Sequence, residues 1–199
     1  MPERTNAIVE HIVFTINKDR HPYDFYVIDN GSDLVEPSKY TTVWLKKNRQ
    51  TIGGFLAGVD TAVRSSIDYF AYWFIITSAK FIDTDWRDPL SYLLQKLEHL
   101  DTFAVHPAVD FSFSAWEQWM SPRYNDGIGT RRIWGMDYIA VLMSAEKYHL
   151  LGGFRPELTM GWGIPGEMNW EARGNGWKLY IDDRYVIQKE TDVGYEMGS

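Results

Sequence analysis

Residues 151–178 read LGGFRPELTMGWGIPGEMNWEARGNGWK. Seven of the chain's 16 glycines and three of its 9 tryptophans fall in this stretch, with Glu157, Glu167 and Glu171 among them. Flexible backbone beside aromatic surface and carboxylates suits a pocket wall that closes over a polar, ring-shaped ligand. The same composition also suits a plain loop joining a strand to a packed helix, with the tryptophans serving the core. The order of the pieces narrows the choice. An apolar strand (138–143) leads to a short helix (144–151), then Gly152-Gly153-Phe154, a loop, and a second helix beginning near Gly166.

Upstream, apolar runs alternate with helical patterns. Residues 6–17 carry Ile8, Ile12 and Ile16 at helical spacing, with Thr5 or Asn6 as caps. Strands are expected to start near Phe25, Val43, Tyr69, Phe103 and Tyr138, the nearly continuous apolar run 69–76 suiting a strand covered on both faces. Glycines 53, 54 and 58 would each weaken an isolated helix over 50–65 by about 1 kcal/mol, and their use is close approach of that helix to sheet or ligand. A helix is expected over 88–100, a short strand over 102–106 ended by Pro107, and a hairpin or edge from 178–181 and 185–187. The 108–132 stretch reads as an irregular excursion, a candidate acceptor lid or interaction surface.

Asp29-Asn30-Gly31-Ser32 follows the first short strand, at the carboxyl end where open α/β sheets bind ligands. Asn-Gly is also a common turn former, and Asn30-Gly31-Ser32 spells an N-glycosylation sequon. Lys46-Lys47-Asn48-Arg49 is either a solvated loop or charge placed for a diphosphate.

Several classes are excluded or disfavoured. No apolar run approaches the ~20 residues of a membrane span, and no signal-peptide pattern opens the chain. The absence of cysteine excludes disulfides and thiolate metal sites and fits a cytoplasmic location. A net charge of -7 argues against a nucleic-acid partner. None of the 5 histidines has a partner at helical spacing, and no serine-nucleophile motif, Walker loop or dinucleotide fingerprint is present. Aromatic residues make up 16% of the chain, a surplus that fits sugar-ring stacking as well as core.

Ser144, Glu146, Tyr148, Gly152, Gly153 and Phe154, followed by Gly166, Glu167, Trp170, Arg173, Gly176, Trp177 and Lys178, resemble in type and spacing the C-terminal half of the GT-A glycosyltransferases, in particular the inverting family 2. Val27, Asp29, Asn30, Gly31, Ser32 and Asp33 resemble that family's turn at the nucleotide base. Asn48, Ala57, Gly58, Val59 and Ala62 resemble its following helix. The resemblance implies one domain over 1–199, built as a three-layer α/β/α sandwich with a mainly parallel central sheet. It implies transfer of a sugar from a nucleotide-sugar to a glycan or small-molecule acceptor. Donor contacts would come from Asp29, Asn30, Gly31, Ser32, Asn48, Arg49, Gly58 and Lys80, and acceptor contacts from Trp162, Gly163, Trp170 and Arg173.

The chain departs from the family in four places. Thr77-Ser78-Ala79-Lys80 stands where Asp-x-Asp would hold a manganese or magnesium ion. Asp83 and Asp85 lie a little further on, as weak metal candidates or as ordinary acidic residues before a helix. Without metal, Lys80, Arg49 or Lys47 would meet the leaving-group charge. Met168 replaces the second acid of the Glu-Asp pair, which leaves Glu167 as the candidate base or as a plain helix-terminal charge, with Glu171 or Asp137 in reserve. Gln188 and Lys189 stand where a final His is common, and the usual first strand is absent. Two expectations follow: a glycosyltransferase, or a non-catalytic module of the same shape that binds saccharide, a second copy or a partner protein.

Overall fold

A computed structural model describes residues 2–82, 87–110, 129–158 and 163–190. In chain order these form α1 (Pro2–Thr15), β1 (Ile28–Asp29), β2 (Val43–Trp44), α2 (Gln50–Arg64), β3 (Ala71–Ile75), β4 (Ala79–Phe81), α3 (Pro89–Leu97), β5 (Thr102–Asp110), β6 (Thr130–Ile133), β7 (Ala140–Ser144), α4 (Ala145–Leu150), α5 (Ile164–Gly174) and β8 (Lys178–Lys189). Local chemistry explains several boundaries. Asp88 caps α3 by accepting the Leu90 and Ser91 N–H groups, and Pro89 occupies the first turn, where its missing donor costs nothing. Ser144 caps α4 through the Lys147 N–H.

Six strands form a mixed sheet in the order β3-β7-β5-β8-β4, with β6 also on β8. β5 and β8 run parallel; β3–β7, β5–β7, β4–β8 and β6–β8 are antiparallel. β1 and β2 form a separate parallel pair. The class is therefore α/β, but the six-stranded sheet is mixed where a mainly parallel one was expected. Periodicity reports whether a strand is covered and not which way it runs. β3 also differs from expectation. It is an edge strand whose ladder partner is β7, and of its side chains only Phe74 is fully buried.

Helices cover both faces of the sheet. On one face, Ile52 and Val59 of α2 and Met168 and Ala172 of α5 pack with Phe74, Phe103, Val141, Met143 and Leu179. On the other, Ile16 after α1 and Leu90, Leu93 and Leu97 of α3 pack with Val105 and Leu142. Alternate residues of β7 thus serve opposite layers, as the two-residue period of a strand demands.

The Gly152-Gly153-Phe154 stretch is a corner of this core. Gly152 and Gly153 take φ values of 81° and 75°, a conformation that a side chain would strain. The turn lays the Phe154 ring beside Tyr148 and Phe74, at centroid distances of 5.1 and 4.8 Å. The Phe154 N–H donates to the Tyr148 hydroxyl at 3.1 Å, and burial holds that phenol's pKa up at about 12.

Two strand boundaries also differ from expectation. Pro107 does not end β5, which continues to Asp110: it stays in register with Asp182, and β8 then carries the extra residues Asp183, Arg184 and Tyr185 before pairing resumes between Ala108 and Val186. The expected hairpin at the end is one long strand, β8, with that irregularity within it. The excursion expected over 108–132 contributes its first residues to β5 and its last to β6. Residues 111–128 lie outside the described residues.

Candidate functional site

The Asp29–Ser32 turn and the Asn48–Arg49 loop come together. β1 ends at Asp29, whose carbonyl accepts the Leu45 N–H at 2.9 Å and whose carboxylate accepts the Ser32 N–H at 3.2 Å. Asn30 is the lock. Its Nδ2 donates to Asn48 Oδ1 at 3.2 Å and to the Gln50 carbonyl at 2.7 Å, and its Oδ1 accepts the Arg49 N–H at 2.9 Å. Gly31, at φ 73°, lies against the Lys47–Asn48 peptide; a Cβ there would stand 2.7 Å from Lys47 Cα and closer to the peptide atoms beyond it. Gln50 opens α2 with a left-handed φ of 59°, unusual for a residue with a side chain. The Asn48 carboxamide accepts its N–H at 2.7 Å, so the two asparagines hold a strained helix start in place.

The orientation of this turn follows from α2. Phe55 near the start of α2 meets Phe74 near the end of β3 at 5.0 Å, and Ser65 at the other end of the helix meets Tyr69 just before β3 at 3.4 Å. β3 and β5 both run antiparallel to β7. The Asn30–Arg49 loops therefore lie at the end of the molecule where β3 and β5 finish, the carboxyl-end position expected of a ligand crevice.

Other expected donor residues fall elsewhere. Gly58 faces β1, where a Cβ would sit 3.8 Å from Ile28 Cδ1, so its smallness serves helix–strand approach. Lys80 is exposed on β4, opposite Gln188 of β8, and makes no hydrogen bond or ion pair with the Asn30 turn. Among the described residues no cluster of His, Asp or Glu would hold a metal ion, and Asp83 and Asp85 lie outside them.

α5 carries the second group. Gly163 is its N-cap at φ 88°, exposed; Trp162 lies outside the described residues. Glu167 is half-buried and pairs with Arg155 Nη1 at 3.1 Å, while Arg155 Nη2 reaches Glu171 at 3.3 Å. Met168, at the place of the missing second acid, is 3% exposed inside the core. Asn169 is also buried: its Nδ2 donates to the Met136 carbonyl at 3.0 Å and its Oδ1 accepts the Tyr138 hydroxyl at 3.3 Å, which ties α5 to the approach of β7. Trp170 is 72% exposed, and Arg173 one turn on lays its guanidinium 5.7 Å from the Trp170 ring and 4.1 Å from the Trp134 ring.

His106 is fully buried. Its Nδ1 lies 2.5 Å from the Pro107 carbonyl and its Nε2 accepts the Ala140 N–H at 2.9 Å, so it is the neutral tautomer with its proton on Nδ1. Burial lowers its pKa to about 4, against the pull of the Pro107 carbonyl and the Asp137 charge.

Sequence reasoning missed Arg155, Trp134 and the role of Asn30 as a lock. Trp134 carried no signal, because Arg131-Arg132-Ile133-Trp134 shows no polar–apolar alternation. Arg155 carried none, because its partners lie across a loop. No protein-family model matches the chain, and no curated protein matches it in sequence.

Proposed function

We propose that the chain is a GT-A-like glycosyltransferase, which moves a sugar from a nucleotide-sugar to a glycan or small-molecule acceptor with inversion. The observation that carries this reading is the Asn30 lock, which joins the turn after β1 to the strained start of α2. A rigid turn beside a helix N-terminus suits a nucleoside diphosphate, because free N–H groups and the helix dipole face the anion. The layering supports it as well, with helices on both faces and parallel pairing in β1–β2 and β5–β8.

In this reading Asp29 addresses the base, and Arg49 with the start of α2 meets the diphosphate charge. The acceptor hydroxyl attacks the anomeric carbon and gives its proton to the Glu167 carboxylate. The bond from that carbon to the diphosphate oxygen breaks, and the nucleoside diphosphate leaves with the electron pair. Arg155 must share Glu167 with the acceptor for this to happen.

The Arg155–Glu167 pair also favours a second reading, a non-catalytic module of the same shape that binds saccharide. Calorimetric titration with uridine, guanosine and thymidine diphosphates decides between them. The transferase reading expects one of the three to bind and Asn30→Ala to weaken it. Binding of none leaves the module.

A further inference from the structure

Trp134, just after β6, and Trp170, on α5, are 75% and 72% exposed, and the half-buried Arg173 lays its guanidinium near both rings. Beside them opens a cavity of about 150 Å³ lined by Arg132, Ile133, Trp134, Arg173, Trp177, Lys178 and Leu179. Its chemistry is unlike that of the rest of an acidic chain. Lys178 is paired with Asp101, but Arg132 and Arg173 have no carboxylate partner among the described residues. Among the described residues neither guanidinium has a counterion, and that of Arg173 lies against two indole rings, which makes a site for an anion attached to a ring.

We infer that this cavity binds one saccharide ring bearing an oxyanion, either a carboxylate or a phosphate. Size argues for a single ring, since an engineered cavity of similar volume takes one benzene. The indoles argue for a sugar: a pyranose offers C–H groups to the electron-rich indole face while its hydroxyls stay in water, which matches rings that are largely exposed. The guanidiniums argue for the anion, which they bind through paired N–H donors. Arg173 is already oriented by its contact with Trp134, so little freedom is lost when the anion arrives.

The site is separate from the Asn30 turn. Ile133 pairs with Leu179, and Lys178 with Thr102, at the end of the molecule where β5 begins; the Asn30 turn lies where β5 finishes. From Glu167 the distance to Arg173 along α5 is about 9 Å, roughly two sugar rings. The inference does not rest on the transferase reading and holds equally for a binding module.

The test is titration of the whole chain with glucuronate, glucose 6-phosphate, glucose and inorganic phosphate, read by calorimetry and by the indole N–H signals of Trp134 and Trp170. Saturable binding is expected for at least one anionic sugar, with glucose and phosphate each at least tenfold weaker. The glucuronate and glucose 6-phosphate arms tell carboxylate from phosphate. Arg173→Gln should weaken the anionic sugar at least tenfold, and so should Arg132→Gln, at the exposed position of β6, should the first variant disturb α5. Neither should alter nucleoside diphosphate binding at the Asn30 turn. The inference is overturned if glucose binds as well as the anionic sugars, if no anionic sugar binds, or if both arginine variants keep full affinity. Nucleoside diphosphates that shift the Trp134 and Trp170 indoles would make this a nucleotide site, and would equally overturn it.

Discussion

Arg155 holds Glu167 at 3.1 Å and Glu171 at 3.3 Å, one guanidinium spanning two carboxylates a helical turn apart. The ion pair occupies the carboxylate that would have to serve as the base. If transfer is confirmed, Glu167→Gln should lower turnover by roughly 100-fold, the usual contribution of a general base. Its unfolding free energy should change by less than about 1 kcal/mol, because the pair is partly open to solvent. Unchanged turnover would assign Glu167 to helix-terminal charge alone.

Asn30→Ala and Gly31→Ala should separate anchoring from backbone shape. Loss of the Asn30 carboxamide removes bonds to Asn48, Arg49 and Gln50, in a partly exposed site, for about 1 kcal/mol. Gly31→Ala forces a Cβ into the Lys47–Asn48 peptide at a left-handed φ, and should cost more than Asn30→Ala. Denaturant midpoints of the two variants, measured together, check the order. The reverse order would show that the turn relaxes freely away from Lys47.

Met168→Asp restores the acid of the resembled family but places it in the core among aromatic rings. It should destabilise the protein by about 3 kcal/mol or more and should not create a base, since a buried carboxylate without a partner is costly. A stable Met168→Asp protein with raised turnover would mean that α5 rotates to present this residue.

His106 makes stability depend on pH. The folded protein keeps it neutral down to about pH 4, whereas an unperturbed histidine takes up a proton near pH 6.5. The unfolded chain therefore binds more protons between these values. The contribution is fully present above pH 6.5 and is lost as pH falls towards 4, by about 3 kcal/mol in total. Denaturant titrations across this window should show the fall, and His106→Gln should flatten it relative to the parent.

Much of this was legible in the sequence wherever a pattern is local. The helix starts near Gln50 and Asp88 and the strands near Val43 and Phe103 follow from the spacing of apolar residues. The Asp29–Ser32 turn and the Asn48–Arg49 loop meet as expected, because both leave neighbouring parallel strands at the same end. Strand direction was not legible: residues 138–143 read equally apolar whichever way β7 runs. The edge position of β3 was hidden too, since α1 and α2 cover its faces and its sequence reports only that cover. The partners of Glu167, Lys80 and Trp134 depend on contacts across the fold, which no local pattern encodes.

β8 pairs with β4, β5 and β6, and no other described strand has three partners. It is also made after all three. A nascent chain that has reached Asn175 has all five helices but no strand to close β5 on that side, and no strand partner for β4 or β6. Contacts so distant in sequence form slowly and together. Completion of the core thus waits on synthesis of β8, and until then the unpaired edges of β4, β5 and β6 are surfaces that chaperones or neighbouring chains can capture.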